Sequence, residues 1–284
     1  MSADAPAAND YVQALQNPKR VFTSPVLQQA AFVEDAMGMP MAVRGASAAV
    51  FQARVEGTEC ALRCFLRIGA SSEQRNDLVG RYLAQSGVAS VVRPDWLDNE
   101  VRVKGSYWPV LRMEWVDGEL LSEHVGRLVT AGDYAGLQDL AGKWLSLMSD
   151  LEARSIGHGD LQHGNVLLDR RTGQLRLIDL DGAWVPPVAA MPPPQELGHP
   201  NYSHPRRSQA HWGQHMDTFS ALVIYLSIVA LASDRYLSID SNTGPRGLWS
   251  DFHTGENLLF KKEDFELAGR TPIWSRLAYL ENRW

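Results

Sequence analysis

The sequence predicts an α+β fold, a small antiparallel-sheet lobe followed by a larger helical lobe, and three observations predict it. Residues 41–68, MAVRGASAAVFQARVEGTECALRCFLRI, alternate β-favouring runs with turn signals at Arg44-Gly45 and Glu56-Gly57-Thr58, the pattern of successive antiparallel strands. Beyond about residue 113, apolar residues recur at helical period over 119–129, 134–155 and 217–232. Before that point a single helical pattern, at 71–87, interrupts the strands. The expected organisation is a polar N-terminal extension over 1–22, a sheet lobe over 23–113 and a helical lobe over 114–284, with a hinge at about 113–118.

Each element follows from local chemistry. Residues 1–22 are polar and contain Ala and Pro, which predicts a loosely held extension. The helix in SSEQRNDLVGRYLAQSG opens on a serine, carries acids in its first turns and stops at Gly87. Strand character returns in VRVKGSYWPVLRMEWVDG, 101–118. NVLLD and QLRLIDL, on either side of RRTG, predict a further hairpin, with Gly173 free to take the positive φ of a tight reversal. PPVAAMPPP, 186–194, has to be extended or turning, because proline lacks the amide that a helix or a ladder needs.

Composition excludes several classes. A net charge of -6, from 27 basic and 33 acidic residues, leaves no broad cationic surface to displace counterions from a nucleic acid backbone. The longest apolar run, 219–232, contains Ser220, Tyr225 and Ser227 and is too short to span a bilayer. The opening MSADAPAANDYVQ has no basic stretch ahead of an apolar core. Cys60 and Cys64 stand four apart on a strand, a spacing that shares a face and forbids a bridge. A reduced thiol pair in a cytoplasmic protein is therefore expected, with neither nucleic acid nor membrane as partner.

The hairpin at 165–180 concentrates oxygen donors. Asn165 and Asp179 fall at its open end, and Asp160 lies on the loop that enters it. Carboxylate and amide oxygens suit Mg²⁺, which is held through one or two protein ligands while phosphate and water complete its shell. A third carboxylate beside such an ion can accept a hydroxyl proton. Asp and Asn that only cap turns would give the same local composition.

The wider pattern carries a resemblance. HGDLQHGN, 158–165, is similar to the H-R-D-L-x-x-x-N loop of the protein kinase-like superfamily through His158, Asp160, Leu161 and Asn165, and Asp179 stands where the D-F-G aspartate belongs. GASAAVF resembles the loop that covers the phosphates, CALR the V-A-I-K strand, RMEWVDG the hinge, and GHPNYSHP, 198–205, the end of the activation loop. DTFSALVIYL, 217–226, resembles the helix whose first aspartate braces the catalytic loop. These segments run in order over about residues 40–230. The resemblance implies a two-lobe protein kinase-like fold with one main helix in the N-lobe, and ATP with Mg²⁺ or Mn²⁺ as cofactors. It implies that Asp160 orients the acceptor hydroxyl and takes its proton, that Asn165 and Asp179 hold the metal, and that adenine lies between the lobes. Glu114 and Val116 would offer backbone groups to adenine, Val50, Ala61 and Leu167 its apolar walls, Met113 its back and Gly45 a close approach to phosphate. For the apolar members a plain core role is equally natural.

Several positions depart from the family pattern. Arg63 replaces the strand lysine, with Arg67 on the same face as the alternative, and an arginine fork is not a point charge. No glutamate occurs between Gln74 and Asn99 to partner it, leaving Asp77, or Glu73 in the first turn. Gln162 stands where a second lysine is common, and where small-molecule kinases of the aminoglycoside and choline type often carry histidine. Gly159 replaces the arginine that receives a loop phosphate, and no Ser, Thr or Tyr lies between Gly182 and Gly198, so no phosphosite is expected there. Arg206 replaces the A-P-E glutamate, with Asp251 or Glu256 as candidate partners. The leading expectation is a divergent, bacterial-type Ser/Thr protein kinase acting on a protein substrate, because GHPNYSHP belongs to the peptide shelf of such enzymes. A nucleotide-binding pseudokinase with a regulatory protein partner, and a small-molecule kinase, are the alternatives.

Overall fold

The computed structural model describes residues 5–45, 47–69, 71–234, 238–240 and 244–281. The chain is α+β with antiparallel sheets. Its internal contacts define two compact units, one of Met1–Gly87 and Val92–Trp115, the other of Val88–Val91 and Val116–Trp284.

The first unit contains α1 (Ala8–Leu15), α2 (Pro18–Val21), β1 (Ala31–Phe32), β2 (Ala42–Arg44), β3 (Ala48–Val55), β4 (Thr58–Phe65), α3 (Ser72–Ser86), β5 (Asp95–Val103) and β6 (Ser106–Glu114). Its strands form one antiparallel sheet in the order β1-β3-β4-β6-β5, with β2 also paired to β3. Glu56-Gly57 (φ 49° and 80°) and Lys104-Gly105 (φ 50° and 83°) make the two tight reversals, the left-handed pairs that match the twist of two-residue hairpins. In the β3–β4 ladder Val50 faces Arg63 and Phe51 faces Leu62. Alternation therefore sends Val50, Ala61, Arg63 and Met113 to one face, and Phe51, Ala53, Leu62 and Cys64 to the other.

That second face is where the N-terminal residues belong, and they correct the expectation of a loose extension. Tyr11, Leu15, Phe22 and Leu27 are buried in one core with Phe51, Leu62 and Cys64. Tyr11 and Leu15 are four apart on α1 and so share a face. The Tyr11 hydroxyl donates to the carbonyl of Phe65 at 2.9 Å, which satisfies the polar end of a fully buried ring. An apolar sheet face left in water would cost about 25 cal/mol per Å², and these residues remove that cost. Cys60 and Cys64 are both free and buried, and burial pushes both thiols up.

The second unit contains β7 (Gly118–Leu120), α4 (Leu121–Ala131), α5 (Tyr134–Ala153), β8 (Val166–Asp169), β9 (Leu175–Leu177), α6 (Thr218–Ser233), β10 (Ser238–Asp240), β11 (Gly244–Arg246), α7 (Leu248–Phe252), α8 (Lys262–Glu266) and α9 (Pro272–Glu281). α4 ends on Gly132, whose φ of 64° supplies the left-handed stop, and Asp133 then caps α5 by accepting from the amide of Gly136 at 2.8 Å. Trp144, fully buried on α5, donates from its indole to the carbonyl of Ala221 on α6 at 3.0 Å. β7, β8 and β9 form a small antiparallel sheet in that order. Among the described residues no helix is long and apolar enough to cross a membrane.

Candidate functional site

The hairpin of β8 and β9 builds one end of the site. Val166 pairs with Leu177, Leu167 with Arg176 and Leu168 with Leu175, and Gly173 turns the chain at φ 66°. Asp169 fixes the reversal by accepting from the amides of Arg171 and Thr172 at 2.8 and 3.0 Å. At the open end the amide of Ile178 donates to the carbonyl of Asn165 at 3.0 Å, which brings Asn165 alongside the residue that precedes Asp179. His158, fully buried, ties the same point: its Nε2 lies 2.9 Å from the carbonyl of Ile178, and its Nδ1 accepts from the amide of Asp160. Since a carbonyl only accepts, the proton sits on Nε2. Asp179 itself takes φ 63°, a left-handed conformation that a non-glycine residue adopts at a cost and that concentrates at functional positions.

Asp160 is held from three sides. Its Oδ1 accepts from the amide of His199 at 2.7 Å, and its Oδ2 accepts from Gln162 Nε2 and Asn165 Nδ2, each at 3.1 Å. Asn165 Nδ2 also donates to the carbonyl of Asp160 at 2.8 Å. The amide nitrogen of Asn165 is thus directed at Asp160, and its oxygen is the end able to serve a cation. An ionised carboxylate offers about four lone-pair sites, so three neighbours leave room for one hydroxyl donor. Among the described residues no group of three or more His, Cys, Asp or Glu is arranged to hold a metal ion. Mg²⁺ needs only one or two protein oxygens, and the amide of Asn165 with the carboxylate of Asp179 is a donor set of that kind.

The loop around Asp160 is braced through its backbone. Asp217, just before α6, accepts from the amides of His158 and Gly159, the latter at 3.0 Å. Gly159 has φ 86°, and a Cβ there would lie 2.3 Å from the carbonyl oxygen of Gly182. Gly198 has φ 82°, and a Cβ there would lie 2.8 Å from the carbonyl of Gly159 and 3.1 Å from Asp160 Oδ1. Both positions require glycine. Arg207 Nη2 donates to the carbonyl of Gly159 at 2.7 Å. A directed chain ties the next loops: the amide of Leu258 donates to the Tyr202 hydroxyl at 2.9 Å, that hydroxyl lies 2.6 Å from His163 Nδ1, and His163 Nε2 lies 3.0 Å from the carbonyl of Gly255. Burial lowers the imidazole pKa of His163, in keeping with a neutral ring that accepts at one nitrogen and donates at the other.

His199, Tyr202 and Arg207 went unrecognised in the sequence as partners of this loop. Two of the contacts use backbone amides or carbonyls, which leave no signature in residue identity. Glu256, one of the two candidate partners for Arg206, pairs with His199 at 3.3 Å.

In the first unit Arg63 is buried on the face it shares with Val50, Ala61 and Met113. Its Nη2 donates to Ser47 Oγ at 3.1 Å, and its guanidinium stands 5.7 Å from the ring centre of Phe65. Arg67 is exposed, and Gly45 donates to the carbonyl of Ala48 at 2.9 Å where β2 turns into β3. Glu114, exposed at the end of β6, pairs in register with Cys60, and Val116 is half-buried at the start of the second unit. Leu167 lies against Gly118 on the neighbouring strand. Asp77 is a correction: its carboxylate pairs with Arg81 at 2.8 Å, one turn along α3, and not with Arg63. The buried face of α3 is Arg75, Asn76, Val79, Gly80 and Leu83, a 3.6-residue stripe that excludes Asp77.

No family model matches the chain, and no curated protein matches it.

Proposed function

We propose that this chain is an ATP- and Mg²⁺-dependent phosphotransferase with a two-lobe protein kinase-like fold, acting on Ser or Thr hydroxyls of a protein substrate in the cytoplasm. The observation that carries this is the Asp160 carboxylate, fixed by His199, Gln162 and Asn165 with one acceptor direction to spare. In this function Asp160 orients the acceptor hydroxyl and takes the proton it loses on attacking the terminal phosphate. Asn165 Oδ1 and Asp179 would hold the metal ion, which neutralises charge on the phosphates when bound. His158 and the Ile178–Asn165 bond keep those two residues in register. Arg63, paired with Ser47, is the cation of the first unit suited to phosphate, and Val50, Ala61 and Met113 beside it are suited to an adenine ring.

A second possibility, a nucleotide-binding pseudokinase, is favoured by the outward pairing of Asp77 with Arg81. Phosphotransfer is mostly positioning and charge neutralisation, so each missing charged group slows it. The test is labelled ATP with Mg²⁺ or Mn²⁺ and generic protein acceptors, run beside Asp160→Ala and Asp179→Asn. Transfer to protein by the wild type that both variants lose is the expected result. ATP-dependent thermal stabilisation without transfer identifies the scaffold, and transfer only to aminoglycoside or choline acceptors identifies a small-molecule kinase.

A further inference from the structure

The segment 158–165, HGDLQHGN, contains no lysine or arginine. Gly159 and Gln162 stand where the family pattern has cations, and Gly159 cannot carry a side chain at all: its φ is 86° and a Cβ would meet Gly182 at 2.3 Å. The peptide group joining Gly159 to Asp160 is nevertheless gripped at its oxygen by a cation. Arg207, 48 residues further on, donates from Nη2 to the Gly159 carbonyl at 2.7 Å. The backbone of Arg207 is itself fixed, since its amide donates to the carbonyl of His204 at 2.8 Å, and its side chain is half-buried. Gly198 packs against the same carbonyl, and the next residue, His199, donates to Asp160 Oδ1.

We propose that Arg207 is the positioning residue of this site: its guanidinium clamps the Gly159 carbonyl, fixes the plane of the 159–160 peptide and so aims the Asp160 carboxylate. This rests on the phosphotransfer function proposed above. Asp217 holds the amide of Gly159 and Arg207 holds its carbonyl, so both ends of one residue are pinned by opposite charges. Hydrogen bonds with one ionised partner are roughly twice as strong as neutral ones, which suits a short clamp on a loop with no side chain of its own to anchor. A distant segment thus supplies the cation at this loop's backbone, and the shelf at 198–205 is tied to the same loop by the His199 amide on Asp160 Oδ1. A clamp acts on aim and leaves nucleotide contacts untouched, so kcat falls while the KM for ATP holds.

The test compares wild type, Arg207→Ala and Arg207→Lys of the full chain. Arg207→Ala is expected to lower kcat on the order of a hundredfold, the cost of a misaimed reacting group, with the KM for ATP unchanged. Methylguanidinium added to Arg207→Ala is expected to restore part of the rate, and Arg207→Lys to fall between the two. Amide hydrogen exchange is measured in parallel, with faster exchange expected at Asp160 and His199 in Arg207→Ala. Unchanged kcat, or a fall that tracks lost thermal stability without rescue, overturns the proposal. Wild-type protein that transfers no phosphate defeats the phosphotransfer function instead. In that case the exchange rates decide the clamp by themselves, and equal rates in wild type and Arg207→Lys overturn it even where Arg207→Ala does not fold.

Discussion

The carboxylate of Asp217 lies 3.0 Å from the amide nitrogen of Gly159, 58 residues earlier in sequence, and it also takes the amide of His158. One ionised side chain thus satisfies two consecutive backbone donors next to Asp160. Hydrogen bonds to charged groups contribute about 1.5–3 kcal/mol each, and leaving a buried donor unmade costs a similar amount. Asp217→Asn keeps one oxygen but turns an NH₂ group toward the second donor. Urea denaturation should show a loss on the order of 2 kcal/mol, together with loss of phosphotransfer.

Placing an arginine at Gly159 should do harm. The left-handed φ disfavours any side chain, and the first carbon of one would overlap the carbonyl of Gly182. Gly159→Ala and Gly159→Arg should each destabilise the chain by more than about 1 kcal/mol and lower activity together, because the backbone has to move before either fits. An active, fully stable Gly159→Arg protein would contradict this packing of the loop.

How far the sequence revealed this arrangement depended on the range of the interaction. The hairpin at 166–177, the turn at Gly173 and the helices α3 to α6 rest on local periodicity and turn chemistry, and each occurs within a few residues of its expected bounds. Asp77 has a competitor for its carboxylate within its own helix: Arg81 stands at i+4, the spacing at which opposite charges on a helix meet. The α1 segment also held its signal, Tyr11 and Leu15 one turn apart, beneath a polar composition. Arg207 on Gly159 and the His199 amide on Asp160 were a different matter, since contacts made to or by the backbone across about 40 residues have no sequence pattern.

Gln162 donates to Asp160 Oδ2 at 3.1 Å, so its amide is committed to that carboxylate. Lysine at this position would bring a point charge on a longer stem, able to reach past Asp160 to a phosphate. Gln162→Lys should raise the initial rate of transfer by about tenfold, equivalent to roughly 1.4 kcal/mol of transition-state stabilisation, with little change in Tm. Initial rates with labelled ATP at saturating acceptor decide it. Slower transfer by Gln162→Lys would mean that the amide's bond to Asp160 matters more than an added cation.

Asp234 ends α6, is buried, and accepts from the amide of Leu248 at 2.6 Å, while its Oδ1 has no hydrogen-bond partner among the described residues. Burial raises its carboxyl above the usual 3.8, against smaller lowering by the Leu248 amide and Arg276, with Asp251 adding a further push upward. The folded chain therefore holds this proton more tightly than the unfolded chain does. Stability from this group is complete below pH about 3.8 and is lost as pH rises through the raised value. Asp234→Asn removes the titration. In denaturation series from pH 4 to pH 7, its stability relative to wild type should improve as pH rises until the wild-type carboxyl is ionised and then level off, and a constant difference throughout would exclude the raised carboxyl.

The segment 182–198 is placed by bonds that need no phosphate. Gly157 and Trp184 exchange backbone hydrogen bonds of 2.8 Å, the Trp212 indole donates to the carbonyl of Gly182 at 3.1 Å, and Ser203 Oγ donates to the carbonyl of Leu197 at 3.1 Å. Between residues 182 and 198 there is no Ser, Thr or Tyr, and five prolines restrict the backbone in the unfolded chain as well as the folded one. A phosphorylated loop gains order by new charge-assisted bonds to a cationic receiver. Here Gly159 offers no such receiver, and the contacts above already order the segment. Treatment of the purified protein with a broad-specificity phosphatase should leave its transfer rate unchanged. A large loss traced by mass spectrometry to a phosphate within 182–198 would contradict this, and a loss traced elsewhere would locate control outside the segment.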